Sequence, residues 1–150
     1  MKDIRAKIIG LLKEGYCTPR IAQIARKTRE PTTTIHYNIK RLEKEGVIKT
    51  YKPVFDYEKI EQGTCAFVLV HLSADKYGNP DSMALALLHH KEIESIDICT
   101  GDWEMVLKIR TKDMSAYYEF IKRVLSRPGI LKTTSLLSMH QVKTEFVSKV

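Results

Sequence analysis

The spacing of apolar residues changes near residue 64, and this change constrains the fold more than any other feature of the sequence. Before it, apolar residues recur every three or four positions, as in Ile4, Ile8 and Leu11, which is the spacing along one face of an α-helix. After it, apolar runs typical of β-strands alternate with helical segments. The sequence therefore predicts a helical first part and a mixed α and β second part.

The first part divides into three predicted helices, each bounded by residues that favour turns. The first helix ends at Gly15, because glycine readily adopts the left-handed conformation that follows a helix. Thr18 and Pro19 suit the N-cap and the first position of a short second helix. A third helix ends at Gly46, and the β-branched and aromatic residues of Val47–Phe55 predict a short strand or wing. Three helices followed by a wing form a winged helix-turn-helix.

The second part contains six predicted elements in the order βαββαβ. The apolar run CAFVLVHLSA forms the first strand, and DSMALALLHH lies in the first helix. IESIDICT and WEMVLKIRT are two strands separated only by Gly101 and Asp102, which predicts a tight hairpin. Asp113 suits the N-cap of the second helix, and LKTTSLLSMHQVK forms the last strand. This order is that of the ferredoxin-like fold, so the predicted class of the whole chain is α+β.

One face of the predicted sheet has no cover within the chain. Both helices of a βαββαβ unit pack on the same side of the sheet, yet the first strand is apolar on both sides. On this strand Ala66, Val68, Val70 and Leu72 alternate with Cys65, Phe67 and Leu69. A second copy of the domain is the economical cover, so we expect a symmetric homodimer.

Positive charge is concentrated in the first third of the chain. Residues 1–52 contain 13 Lys and Arg residues against 5 Asp and Glu residues, while the whole chain has a net charge of +7. The third helix presents Thr33, Tyr37, Lys40 and Lys44 opposite its apolar stripe, with no carboxylate among them. Such a face favours a polyanion, and in helix-turn-helix proteins the corresponding helix enters the major groove of duplex DNA.

Two groups of residues on this helix are candidates for DNA contact. Short polar and aromatic side chains in its first half can reach base edges: Thr32, Thr33, Thr34, His36 and Tyr37. Cations further along the helix are expected to contact phosphates: Lys40, Arg41 and Lys44. Further phosphate contacts are expected at the flanks, from Arg26, Lys27, Lys49 and Lys52.

Several classes of protein lack support in the sequence. No apolar run reaches the roughly 18 residues of a membrane span and the N-terminus lacks the pattern of a signal peptide, so a cytoplasmic protein without membrane contact is expected. The 3 cysteines form no C-x-x-C pattern, so neither disulfides nor a zinc site are predicted. No nucleotide-binding or nucleophile motif is present, and we predict no cofactor, no metal and no catalytic residues.

Two separate motifs carry a resemblance to a known family. GDWEMVLKIRTKDMSAYYEFI and IHYNIKRLEKEGVIKTY resemble the sensing-domain hairpin and the recognition helix of the leucine-responsive regulatory protein/AsnC family, the feast/famine transcription regulators. The resemblance implies a DNA-binding domain at 1–52, a linker at 53–63, an effector-binding and oligomerisation domain at 64–143 and a tail at 144–150. It also implies DNA-binding dimers that assemble further, often into octamers, and a small effector, commonly an amino acid.

The same resemblance implies where the effector binds. Gly101 and Asp102, together with Thr133, Thr134 and Ser135 on the last strand, would border a cleft at a subunit interface. Lys122 either forms a wall of that cleft, where it would disfavour cationic ligands, or points to water. Two other functions stay open for a ferredoxin-like unit: RNA binding, and metabolite binding or catalysis without gene regulation.

Overall fold

The computed structural model describes residues 3–60 and 63–143 and divides into two compact units, residues 1–54 and 55–150. The predicted tail at 144–150 lies outside the described residues. Across the ranges that are described, none of the helices combines the length and the apolar character needed to cross a bilayer.

Unit one contains the three predicted helices, α1 (Arg5–Lys13), α2 (Ile21–Thr28) and α3 (Thr32–Lys44). Gly15 and Gly46 have φ angles of 97° and 72°, so each supplies the left-handed residue that follows its helix. Buried Ala25 on α2 and Ile35 on α3 lie on the apolar sides of the two helices. The helix periodicity of the sequence is therefore confirmed.

The prediction for the start of α2 was wrong. The helix begins at Ile21 and has no side-chain cap, so Thr18 and Pro19 precede it. The amide of Ile21 donates to the Pro19 carbonyl at 3.0 Å, a contact between residues two apart that tightens the chain immediately before the helix. Because the backbone forms this turn before the helix starts, Thr18 and Pro19 do not serve as the N-cap and the first helical residue.

The strand predicted at Val47–Phe55 is also absent. This segment forms neither helix nor strand, although it is held locally, since the Cys17 thiol donates to the Tyr51 carbonyl at 2.7 Å. A strand needs a partner for its backbone hydrogen bonds, and the described residues of unit one contain no second strand. The β-branched and aromatic residues of this segment therefore do not form the β-hairpin of a wing.

Unit two has the predicted βαββαβ order. Its elements are β1 (Thr64–Leu72), α4 (Pro80–Leu87), β2 (Ile93–Ile98), β3 (Met105–Thr111), α5 (Met114–Phe120) and β4 (Ile130–Leu137), with a π-helical turn at Ile121–Leu125 that continues α5. The four strands are antiparallel in the order β2-β3-β1-β4. Asp113 caps α5 as predicted, because its carboxylate accepts from the Ala116 amide at 2.8 Å.

The core of unit two lies between the helices and one face of the sheet. Val68 and Val70 of β1 are fully buried there, together with Leu87 of α4 and Phe120 of α5. The opposite side of the sheet, which carries Cys65, Phe67 and Leu69 of β1, is hereafter the open face. Charging Val68 or Val70 would therefore disrupt folding, whereas residues of the open face are the ones to change in a test of assembly.

Two loop predictions in unit two were wrong. The β2–β3 connection is not a two-residue hairpin, because β2 ends at Ile98, β3 begins at Met105 and the Cys99 amide donates to the Glu104 carbonyl at 2.9 Å. Strand β4 ends at Leu137 rather than continuing to Lys143. Its last residue Leu137 pairs with Ala66 of β1, and only two residues of β1 lie beyond Ala66, so that strand is too short to pair with β4 as far as Lys143.

The open face is less apolar than predicted. On β3 it carries Lys108 and Arg110, and both are buried. Glu94, at an irregularity of β2, accepts from Lys108 Nζ at 2.9 Å and from Arg110 Nε. These three residues form the buried charge cluster. Burial opposes ionisation of Glu94, but the hydrogen bonds from Arg110 and Lys108 outweigh it and hold the pKa of the carboxyl below its usual value.

Candidate functional site

An open groove of about 480 Å³ lies on unit one between α2 and the first half of α3. Ile21 of α2 lines this groove together with five of the eight DNA-contact candidates on α3. These five are Thr32, Thr33, His36, Tyr37 and Lys40. Tyr37 is 67% exposed, so its ring is available to a partner. This recognition groove, as it is called below, brings polar, aromatic and cationic groups together on the most basic part of the chain.

Three candidates lie outside the recognition groove. Thr34, Arg41 and Lys44 are exposed but do not line it. Arg41 Nε lies 2.7 Å from Glu45 Oε1, one helical turn further along. These side chains can contact a partner only at the periphery of the groove.

The expectation that the α3 face carries no carboxylate needs correction at Lys40. Its ammonium lies 2.8 Å from Glu43 Oε2, and the other oxygen of Glu43 accepts from the Tyr51 hydroxyl at 3.2 Å. The hydrogen bond with Glu43 raises the pKa of Lys40, so the ammonium stays charged at neutral pH. Binding of a phosphate by Lys40 would therefore compete with this exposed ion pair, which is a weak competitor in water.

Sequence reasoning missed Ile21 as a groove residue. Ile21, Ile24 and Ala25 form the apolar stripe of the second helix in the sequence, and such a stripe predicts packing in a core rather than contact with a partner. Whether such a residue also borders a surface depends on how closely α2 approaches α3, and the spacing of one helix does not carry that information.

The predicted effector residues on the β2–β3 loop are exposed. Gly101 has a φ angle of 108°, which favours glycine, and Asp102 follows it at the tip. Glu104 fixes the base of this loop to β1, because its amide donates to the Val70 carbonyl at 3.1 Å and its carboxylate accepts from the Leu72 amide at 2.7 Å. The loop tip is thus presented on a rigid base.

The three predicted residues of β4 do not share one side of the sheet. Thr134 pairs with Leu69 and lies on the open face, whereas Thr133 and Ser135 pair with Val70 and Val68 on the helix side. The Ser135 hydroxyl lies 2.5 Å from the hydroxyl of Tyr117 on α5. Burial raises the pKa of Tyr117 and the bond to Ser135 opposes that shift, so the phenol stays protonated at neutral pH.

A second group near this loop was not predicted. The Trp103 ring packs edge-on against His71 with 6.1 Å between ring centroids, and Lys132 Nζ lies 5.7 Å from the Trp103 centroid. The hydrogen bond from the Leu72 amide lowers the pKa of Glu104, which lies beside His71. The sign of this group in the sequence is the carboxylate of Glu104, which immediately precedes the apolar residues of β3. Trp103 therefore links the loop to the neighbouring strands β1 and β4.

Lys122 does not line this region. Its ammonium lies 2.7 Å from Glu119 Oε1 and 4.6 Å from the centroid of the exposed Tyr118 ring. Both partners are on the helix that carries Lys122, so the contacts favour the interpretation in which this side chain points to water and does not discriminate between effectors.

A basic three-helix unit with a groove on its third helix, together with a separate ferredoxin-like unit, defines a helix-turn-helix transcription regulator. Residues 65–147 match the family model described as the Lrp/AsnC ligand binding domain. The chain belongs to the Lrp/AsnC family of DNA-binding regulators, which confirms the resemblance carried by its two motifs.

Similar proteins agree over almost the whole chain. The HTH-type transcriptional regulator FL11 of Pyrococcus furiosus is 34% identical over 99% of this chain and 97% of its own length. The crystal structure of an AsnC family transcriptional regulator from Agrobacterium tumefaciens has a TM-score of 0.72 at 24% identity and covers 96% of this chain and 94% of that one. A transcriptional regulator from Neisseria meningitidis, solved in complex with L-Met, has a TM-score of 0.72 at 21% identity, with 96% and 93% covered. The last two comparisons show the fold.

Proposed function

We propose that α3 binds duplex DNA sequence-selectively, with the recognition groove against base edges. The observation that carries this proposal is the convergence of Thr32, Thr33, His36, Tyr37 and Lys40 on one groove. Lys40 contacts phosphate at the rim, and Thr34, Arg41 and Lys44 contact the duplex at the periphery. The proposal assigns the chain a role in binding, without catalysis, cofactor or metal.

Replacing Lys40 by Ala is expected to weaken binding to all duplexes alike, because a phosphate contact carries no sequence information. The slope of log affinity against log salt should become shallower by about one, whereas Tyr37→Ala should mainly change the preferred sequence. Titration of selected and random duplexes across salt measures both effects.

The matched control is Lys132→Ala, an exposed cation of unit two, which should leave the salt slope unchanged. Equal affinity of wild-type protein for selected and random duplexes at every salt concentration would refute sequence-selective binding.

We further propose that an amino acid binds beside the β2–β3 loop. The family match supports a ligand-binding role for unit two, and a regulator of the same fold has been solved with L-Met. Gly101 and Asp102 offer exposed backbone and a carboxylate, and Thr134 offers a hydroxyl on the open face. Thr133 and Ser135, whose side chains lie on the other side of the sheet, belong to the proposed site through their backbone groups. These groups suit the α-amino and α-carboxylate groups that all amino acids share.

Calorimetry across the amino acids tests this site. Asp102→Ala and Thr134→Val should each weaken the ligand that binds wild-type protein by about tenfold, because each removes a hydrogen bond to a charged group. Ser115→Ala, which removes an exposed hydroxyl from α5, is the control and should bind normally. Unchanged affinity in both site variants would place the ligand elsewhere.

Self-association completes the proposed function. We propose a homodimer in which a second copy covers the part of the open face formed by β1 and β4, where Phe67 is 39% and Leu136 is 52% exposed. Assembly of such dimers into octamers stays a prediction from the family resemblance.

A further inference from the structure

The recognition groove has a chemical character that DNA binding in general does not require. Thr33, Tyr37 and Lys40 recur at helical spacing along one side of α3, and Ile21 approaches that side from α2. Of the six residues that line the groove, Ile21 is the one whose side chain has no polar atom, although unit one carries most of the positive charge of the chain. A groove that served only to attract phosphate would need no hydrocarbon side chain.

The major groove of DNA offers one hydrocarbon group on its base-pair edges. Guanine, adenine and cytosine present hydrogen-bond donors and acceptors there, whereas thymine presents an acceptor and its 5-methyl group. Ile21 has no polar atom in its side chain and contributes only apolar contact. Lys40, which lines the same groove, supplies the charge complementarity that would bring the polyanionic duplex to this surface.

We infer that the recognition groove reads thymine, and that Ile21 specifies it by apolar contact with the 5-methyl group. The inference rests on the proposed binding of duplex DNA by α3 and goes beyond it, since it names the base and a residue outside the recognition helix. Thr33 and Tyr37 supply the opposite wall of the methyl site.

The experiment combines a substitution in the protein with the removal of a single methyl group from the DNA. A duplex of highest affinity is first recovered from a randomised pool with the wild-type protein, and each thymine is then replaced singly by deoxyuridine, which lacks only the methyl group. At one or more positions wild-type affinity should fall about fourfold, the value of one buried methyl-sized group. Ile21→Ala should bind the thymine and uracil duplexes with nearly equal affinity.

The matched control is Lys44→Ala, an exposed α3 variant outside the groove, which should weaken both duplexes and preserve the thymine-to-uracil ratio. Because each ratio is measured within one variant, partial unfolding lowers both affinities by the same factor. The inference is overturned if uracil has no effect in wild-type protein, or if the uracil effect persists in Ile21→Ala. Failure to recover any preferred duplex would instead refute the proposed sequence-selective binding.

Discussion

Replacing Phe67 with Glu is expected to convert the assembled protein into a folded monomer. Phe67 lies on the open face and is 39% exposed in the single chain, while the buried core lies on the other side of the sheet. Lys108 lies opposite Phe67 on β3, but its ammonium is already paired with Glu94. A carboxylate brought into the interface at position 67 therefore loses more in hydration than it gains, and such changes weaken association by several kcal/mol, or at least about a hundredfold. Light scattering should change from an assembled mass to 17.3 kDa.

The control for this experiment comes from the helix side of the molecule. Leu85 on α4 is 65% exposed, more than Phe67, but it lies on the layer that covers the opposite side of the sheet. Leu85→Glu should therefore leave the mass unchanged if the open face is the interface. A Phe67→Glu protein that stays assembled would place the interface away from the open face, and a Leu85→Glu protein that dissociates would assign it to the helices.

The sequence predicted the elements of the fold well because they depend on local patterns. Helical spacing predicted three helices in unit one, alternation predicted the strands of unit two, and Asp113 was recognised as a cap from its position. The failures have tertiary causes. Val47–Phe55 lacks a partner strand, and the β2–β3 loop is longer than two residues where Glu104 binds the backbone of β1.

The candidate sites were less predictable because surface position depends on packing between elements. Five groove residues were identified from the polar side of α3, but the contribution of Ile21 depends on the approach of α2. The residues of β4 were read as one group, although the pairing with β1 directs Thr134 and Ser135 to opposite faces. Lys108 and Arg110 were predicted as ordinary strand residues, because the carboxylate that pairs with them comes from another strand.

The buried charge cluster separates the open face into two parts with different roles. At the β2–β3 side, segments outside the sheet cover it, since the Tyr57 ring lies 3.7 Å from the Arg110 guanidinium and Gln141 accepts from Arg110 at 2.9 Å. At the β1–β4 side, Phe67 and Leu136 stay exposed. The chain thus covers the charged part by itself, and the exposed apolar part is the one that the proposed homodimer would cover.

Glu94→Gln is expected to destabilise unit two by about 3 kcal/mol at pH 7, because it removes the carboxylate that both buried cations share. The pKa of Glu94 is lowered on folding, so its stabilisation is present above the pKa of the unfolded chain and is lost as pH falls through the folded pKa. The difference in the free energy of unfolding between wild type and Glu94→Gln should therefore decrease below about pH 4. Urea unfolding at fixed protein concentration across pH measures this difference in the free energy of unfolding.

Glu119→Gln, in an exposed pair with Lys122, is the control and should change the stability little at any pH. If both variants behaved alike, or if the loss in Glu94→Gln did not depend on pH, the cluster would not stabilise unit two through the charge of Glu94.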